Sequence, residues 1–189
     1  MDAIVQLWLP VLVAAIFVFV ASSLVHMVFK WHNSDYRALA NEDAMRAAIR
    51  AGAPRPGLYT LPHCSDMKAM QEPAMQAKYR EGPVALLTVM ANGMPNMGRI
   101  LGCWFLLNLL VAAVAAVLAL HAVHPADMSM ACRAGCVGGA VTFMSYGMGS
   151  VSNGIWMGRR WSAVGKDLLD AAIYGVVTGL AFCWLWPGG

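Results

Sequence analysis

Two groups of side chains in this sequence could bind a soft metal ion. The first group consists of the adjacent residues His63 and Cys64. The second consists of His121, His124, Met128 and Met130. Imidazole and thioether groups suit copper, although neither spacing matches the two separated ligand pairs of a zinc motif. Copper is therefore a candidate cofactor, and packing of these side chains without a metal is the alternative.

Two further histidines could extend the first group. His26 and His32 lie near the end of an early apolar stretch, and they could complete a site with His63 only if the intervening chain folds back over that stretch. In a reducing cytoplasm, Cys64 would be a thiol available to such a site.

Lys166 and Asp170 form a charged pair at the start of the last apolar stretch. They are four residues apart, which places them one turn apart on a helix, so they can form an ion pair. An acid at the edge of a membrane can also belong to a proton or ion path. A structural pair and a transport role are both open interpretations of Asp170.

Small residues recur at intervals of four in the last third of the chain. They are Gly135, Gly139, Ser150, Gly154, Gly158, Gly175 and Gly179. Small residues at this spacing allow helix backbones to approach closely in a membrane. We expect them to form helix-packing surfaces.

The composition of the chain indicates which structural elements hold these residues in place. The chain is 59% hydrophobic and only 12% charged, which is far from the usual composition of a soluble domain. A helix needs about 20 apolar residues to cross a bilayer. Four stretches have about this length, at residues 7–29, 100–123, 134–157 and 168–186. The sequence therefore predicts an all-α membrane protein with four transmembrane helices.

A small α+β insert is predicted between the first two transmembrane helices. Within it, Asn41 and Ser65 suit helix N-caps, Pro73 suits a first helical turn, and residues 84–89 have strand character. The predicted domains are residues 1–33 for the first transmembrane helix, 34–99 for the insert and 100–189 for the remaining helices.

The basic residues predict the orientation. Of the 13 Lys and Arg residues, nine lie between the first two spans and three between the last two, and only Arg133 falls on the opposite side. Because cations are retained in the cytoplasm during insertion, residues 30–99 and 158–167 are predicted to be cytoplasmic and both termini periplasmic. The expected location is a bacterial inner membrane.

Four segments of the chain resemble a group of uncharacterised bacterial inner-membrane proteins. These segments are VHMVFKWHNSDY (25–36), LPHCSDM (61–67), EGPVALLTVMANGMPNMG (81–98) and GIWMGRRWSAVGKDLLDAAIYG (154–175). The resemblance implies four spans with a cytoplasmic insert after the first one. It implies no activity and no functional residue.

The sequence lacks the motifs of common catalytic sites, which favours a protein that is not an enzyme. Nucleic acid is not an expected partner because no basic stripe with interleaved aromatic residues occurs. The leading hypothesis is an accessory or scaffold subunit that lies in the bilayer and packs against itself or a larger membrane complex. A copper-type metal or redox protein and a small ion- or proton-coupled transporter are the alternatives.

Overall fold

The computed structural model of the chain describes residues 5–122 and 129–187, which are mostly helical. In chain order, the elements are α1 (Trp8–Ser23), α2 (Glu42–Ala51), β1 (Gly57–Leu61), α3 (Met67–Gln71), α4 (Pro73–Glu81), β2 (Ala85–Val89), α5 (Met97–His121), α6 (Met130–Trp156) and α7 (Trp161–Leu185). They form two compact units. One unit extends to Tyr36 and resumes at Asn96, and the other is Arg37–Pro95.

Three of the four predicted spans correspond to helices that are long and apolar enough to cross a membrane. They are Trp8–Phe29, Met97–His121 and Trp161–Leu185. The third predicted span corresponds to α6, a continuous helix of 27 residues. Its glycine, serine and asparagine residues make α6 more polar than the other three helices, so the prediction of a fourth span stays open.

Helices α6 and α7 pack tightly through glycines of the predicted stripe. A Cβ atom on Gly139 would lie 2.9 Å from the carbonyl oxygen of Gly175, and one on Gly175 would lie 2.8 Å from that of Gly139. Gly135 and Gly179 face each other in the same way, because a Cβ on Gly135 would lie 2.7 Å from the oxygen of Gly179. Only glycine permits this backbone contact. The contact joins two helices of the same chain.

The other predicted packing residues lie toward the turn between α6 and α7. Gly154 faces Val164 and Trp161 of α7. Ser150 is buried and hydrogen-bonds to Asp167. Gly158 differs from the prediction: it lies in the turn with a φ of +65°, and a Cβ there would meet nothing within 4 Å. Its role is the left-handed conformation that glycine adopts readily after a helix.

The interior of the bundle changes character along its length. Its polar half contains the buried residues Ser22, Asn108, Thr142, Ser150, Asp170 and Thr178. Its apolar half contains Leu7, Ala14, Ala112, Ala115, Ala116, Ala119, Ala134, Ala181, Phe182 and Trp186. The polar half lies at the end of the bundle where α1 ends and α7 begins.

The second unit has the predicted α+β composition. Strands β1 and β2 are antiparallel, with a register from Gly57 opposite Val89 to Leu61 opposite Ala85. Pro73 is the first residue of α4, as predicted. The N-cap of α3 is Asp66 rather than the predicted Ser65, because the Asp66 carboxylate accepts a hydrogen bond of 2.7 Å from the amide of Ala69. The side chain of Asn41 makes no capping bond to α2.

Candidate functional site

An unusual backbone at the end of α1 positions the site. The helix continues as a π-helical segment, Leu24–Phe29, and ends at Lys30, whose φ of 54° is left-handed. This reversal leads into a 3₁₀ turn, Trp31–Asp35, which contacts α7. Side chains before and after the reversal therefore meet the first turns of α7.

His26, His32 and Asp170 converge at this position, and we call them the histidine–aspartate cluster. The Nε2 atom of His32 lies 2.8 Å from Oδ2 of Asp170. The Nε2 atom of His26 lies 4.0 Å from the same oxygen. One ligand atom from each of the three residues lies within 4.8 Å of the other two. The two imidazole rings are nearly parallel, with centroids 4.9 Å apart.

The outer nitrogens of both histidines are held by acceptors. The Nδ1 atom of His26 donates to the carbonyl oxygen of Ser22 at 3.0 Å. The Nδ1 atom of His32 donates to Oδ2 of Asp35, also at 3.0 Å. A carbonyl and an ionised carboxylate can only accept, so Nδ1 carries a hydrogen in both rings. The Nε2 atom of His32 also faces a carboxylate, that of Asp170, so a metal ion at this nitrogen would take the place of the hydrogen shared between Nε2 and Asp170. Histidines that bind metals are typically oriented in this way.

Lys166 holds the carboxylate that orients His32. Its ammonium group lies 2.6 Å from Oδ1 of Asp35 and also donates to Ser34 and to the carbonyl of Trp31. The hydrogen bond from Lys166, assisted by His32 and opposed by burial, lowers the pKa of Asp35 below its ordinary value. Lys166 therefore pairs with Asp35, and Asp170 with His32, in place of the Lys166–Asp170 pair that their spacing allows.

Asp167 is a further carboxylate close to the cluster. Arg159 lies 2.8 Å from one of its oxygens, and Ser150 donates to it as well. The carboxylates of Asp35, Asp167 and Asp170 lie beside the cations Lys166 and Arg159 and beside His32. Three carboxylates close together at this end of the bundle favour a positively charged ligand.

Asp170 provides the second sign of a ligand site. It is only 5% exposed, and its Oδ1 atom has no hydrogen-bond partner among the described residues. A buried carboxylate oxygen without a partner is costly, so such an oxygen usually binds water or an ion. A cavity of about 360 Å³ lies beside it, lined in part by His26, Trp104, Tyr146 and Tyr174.

Two nitrogen donors and one oxygen donor suit a divalent transition metal. Zinc binds such ligands at about 2.0–2.2 Å, which requires donor atoms roughly 3.4 Å apart in a tetrahedron. His32 and Asp170, whose donor atoms are 2.8 Å apart, would separate slightly, and His26 would approach the other two donors by up to about 1.4 Å. The His26 side chain is 54% exposed, so no tight protein packing prevents this rotation.

The metal ligands predicted from the sequence lie elsewhere. His63 contacts Thr60 at 3.2 Å, and the Cys64 thiol donates to the carbonyl of Asp66. His121 binds the carbonyl of Val117 within α5, and Met130 begins α6. His124 and Met128 lie outside the described residues. Over residues 5–122 and 129–187, the histidine–aspartate cluster is the one convergent group of three or more His, Cys, Asp or Glu ligands.

The contacts of His26 and His32 with Asp170, and of His32 with Asp35, were therefore not predicted from the sequence. A signal exists in the local spacing, because His32 precedes Asp35 by three residues, as Asp167 precedes Asp170. Each pair occupies one face of a helical turn at a membrane edge predicted to lie on the same side. The left-handed turn at Lys30, which brings the two pairs together, has no such signal.

Comparisons of this chain with known protein families, with curated proteins and with solved structures found no match. The resemblance to four-span inner-membrane proteins stays a prediction. A functional proposal therefore depends on the residues of the chain itself.

Proposed function

We propose that this chain is a multi-pass protein of a bacterial inner membrane that binds a divalent transition-metal ion of the zinc class. The ligands are the Nε2 atoms of His26 and His32 and a carboxylate oxygen of Asp170. One observation carries the proposal: two histidines near the end of α1 converge on Asp170 of α7, a buried carboxylate with one oxygen that has no hydrogen-bond partner within residues 5–122 and 129–187.

The surroundings of the cluster support a metal rather than simple packing. Three protein ligands leave a fourth position for water or a second ligand, as in zinc sites that are not purely structural. Asp35 and the carbonyl of Ser22 supply the outer contacts that set ring orientation. The carboxylates of Asp35, Asp167 and Asp170 further stabilise a bound cation, because a partly buried site screens charge less than water does.

The proposed orientation places the cluster at the cytoplasmic face. Twelve of the 13 Lys and Arg residues belong to residues 30–99 and 158–167, the two links that contain His32 and Lys166. Retention of cations in the cytoplasm supports the assignment of residues 30–99 and 158–167 to that side. The ion would then be acquired from, or delivered to, the cytoplasm.

Calorimetric titration of the purified protein with Zn²⁺ tests the proposal. The protein is prepared in mild detergent without a histidine tag, and we expect one Zn²⁺ per chain. Asp170→Asn and His26→Gln should each weaken binding by about 100-fold or more, because loss of a direct ligand costs at least as much as loss of an outer contact.

Two histidines provide matched controls. His63→Gln and His121→Gln change the same side chain outside the cluster, and both should leave the Zn²⁺ affinity unchanged. These variants also test the metal ligands predicted from the sequence. The proposed site is wrong if the Zn²⁺ affinity falls in His63→Gln or His121→Gln. The affinity would then be unchanged in His26→Gln and Asp170→Asn.

The role as an accessory or scaffold subunit stays a prediction, and its original support is reduced. A surface of small residues could serve self-association, but Gly135, Gly139, Gly175 and Gly179 contact one another between α6 and α7. A partner or second copy would therefore need another surface of the bundle. Native mass spectrometry from membrane extracts separates a monomer from a larger assembly.

A further inference from the structure

We infer that the histidine–aspartate cluster is the entrance to a cation route through the bundle, so that the chain conducts the ion it binds. This inference rests on the proposed metal binding at the cluster. It adds the path of the cation, which runs from the cluster through the polar half of the bundle and then into the apolar half.

The inward face of α7 has the pattern of such a route. Asp170, Tyr174 and Thr178 follow one another at intervals of four residues, and all three are buried. The same face continues with Phe182 and Trp186, which belong to the apolar half. At about 1.5 Å per residue, the polar part extends roughly 12 Å from Asp170 into the bundle.

Polar side chains on α5 and α6 face the same interior. The Tyr146 hydroxyl donates to Oδ1 of Asn108 at 2.6 Å, and the Tyr146 ring lies 5.4 Å from that of Tyr174. Thr142 lies one helical turn from Tyr146 and is only 1% exposed. The cluster is thus continued by hydroxyl and amide groups on three helices.

Several of these groups lack protein partners. The Asn108 amide nitrogen, the Thr142 hydroxyl and the Tyr174 hydroxyl are buried and have no hydrogen-bond partner among the described residues. Burying an unpaired polar atom costs free energy, so helix packing alone does not account for three of them in one place. Ionisable groups that face the interior of a membrane bundle, as Asp170 does at the start of this series, commonly mark ion pathways.

The cavity beside the cluster is open to the surface and is large enough for a partly hydrated ion. It has a volume of about 360 Å³ and extends from Asp170 to Tyr146 and Tyr174. At about 30 Å³ per water molecule, this volume corresponds to on the order of ten waters. Hydroxyl and amide oxygens beyond it can replace water ligands as the ion moves deeper.

Phe182 closes the route at the boundary with the apolar half. Its side chain is fully buried and lies against Gly138, where an added Cβ would be 2.5 Å from the ring. Its ring is 5.4 Å from that of Trp186. Movement of Phe182 is therefore the step that opens the route, and a smaller side chain at this position should open it permanently.

Zinc entry into proteoliposomes with a trapped zinc-sensitive dye tests the route. The Thr142→Val and Thr178→Val double variant keeps side-chain shape and removes two hydroxyls. We expect its zinc entry to fall by at least tenfold while its calorimetric Zn²⁺ affinity in detergent stays that of the wild type. Thr88→Val, at an exposed position on β2, is the matched control and should not change entry.

Phe182→Ala is the complementary variant, with Phe17→Ala on the partly exposed surface of α1 as its control. We expect Phe182→Ala to raise zinc entry several-fold and Phe17→Ala to leave it unchanged. Zinc binding without entry in the wild type, or unchanged entry in the double threonine variant, overturns the route and leaves the binding site intact. Zinc entry that survives Asp170→Asn overturns the proposed binding site as the entrance.

Discussion

Lys166 donates its shortest hydrogen bond to Asp35, a residue 131 positions away, and not to Asp170 on the next turn of its own helix. This bond joins the 3₁₀ turn after α1 to the start of α7. Asp35 in turn holds the ring of His32, whose other nitrogen faces Asp170. Lys166, whose spacing predicts a local pair with Asp170, thus helps to orient His32, a proposed metal ligand from a distant part of the chain.

Replacing Asp35 should weaken metal binding without removing a ligand. In Asp35→Asn, the amide can present its nitrogen to the ring of His32, so the orientation and basicity of that ring are no longer controlled. We expect the Zn²⁺ affinity to fall by about 10- to 100-fold, as for other outer contacts of metal sites. Asp43→Asn, whose carboxylate is fully exposed on α2, should leave calorimetric affinity unchanged.

The stability of the metal-free protein should fall in acid because of Asp35. The Lys166 hydrogen bond lowers the pKa of Asp35 below 3.8 in the folded state, so the unfolded chain binds the proton more tightly. The stabilisation is complete above pH 3.8 and is lost as the pH falls through the lower, folded pKa. Thermal unfolding in detergent between about pH 6 and pH 3 should show this loss.

The thermal stability of Asp35→Asn should change less with pH over the same range, because this variant has no carboxylate at position 35 to protonate. Asp43→Asn should retain the dependence of the wild type. If the thermal stability of the wild type and of Asp35→Asn falls equally as the pH is lowered, Asp35 is not the group that causes the loss.

The contact between α6 and α7 should be sensitive to a single methyl group. Gly139→Ala places Cβ against the backbone of Gly175, and we expect a loss of about 1–3 kcal/mol in the free energy of unfolding. Gly149→Ala, on the same helix, meets nothing within 4 Å and should be neutral or slightly stabilising. Unfolding titrations in mixed micelles compare the two, and similar losses would argue against this packing.

Native cysteines can test the proposed orientation. Cys132 is exposed near the start of α6, and Cys64 is partly exposed in the insert. In single-cysteine variants, an impermeant maleimide should label Cys132 in intact spheroplasts and Cys64 only after lysis. Labelling of Cys64 in intact spheroplasts would reverse the orientation and place the cluster on the periplasmic side.

Much of the helical framework is predictable from hydrophobicity and length. The three helices long and apolar enough to span a membrane are α1 with its extension, α5 and α7, and each coincides with a predicted span. The insert also follows local signals, with Gly52 ending α2 and Pro73 beginning α4. Segments of this kind depend on residues close in sequence, which is why their types and approximate bounds can be predicted.

The candidate site could not be predicted in the same way. Asp170 stood out as an acid in an apolar segment, but its contact with His32 depends on the backbone reversal at Lys30, a non-glycine residue in the left-handed region. Nothing in the identity of Lys30 signals that conformation. The choice of Asp66 over Ser65 as a cap shows the same limit on a smaller scale, because both residues are suitable.

The contact of the 3₁₀ turn with α7 has a consequence for biogenesis. His26, His32 and Asp35 emerge from the ribosome early, while Lys166 and Asp170 emerge more than 130 residues later. The ligand set is therefore incomplete until the final hydrophobic segment has entered the bilayer. If the chain binds a metal ion as proposed, insertion of that segment is the step that makes the nascent chain competent to load the ion.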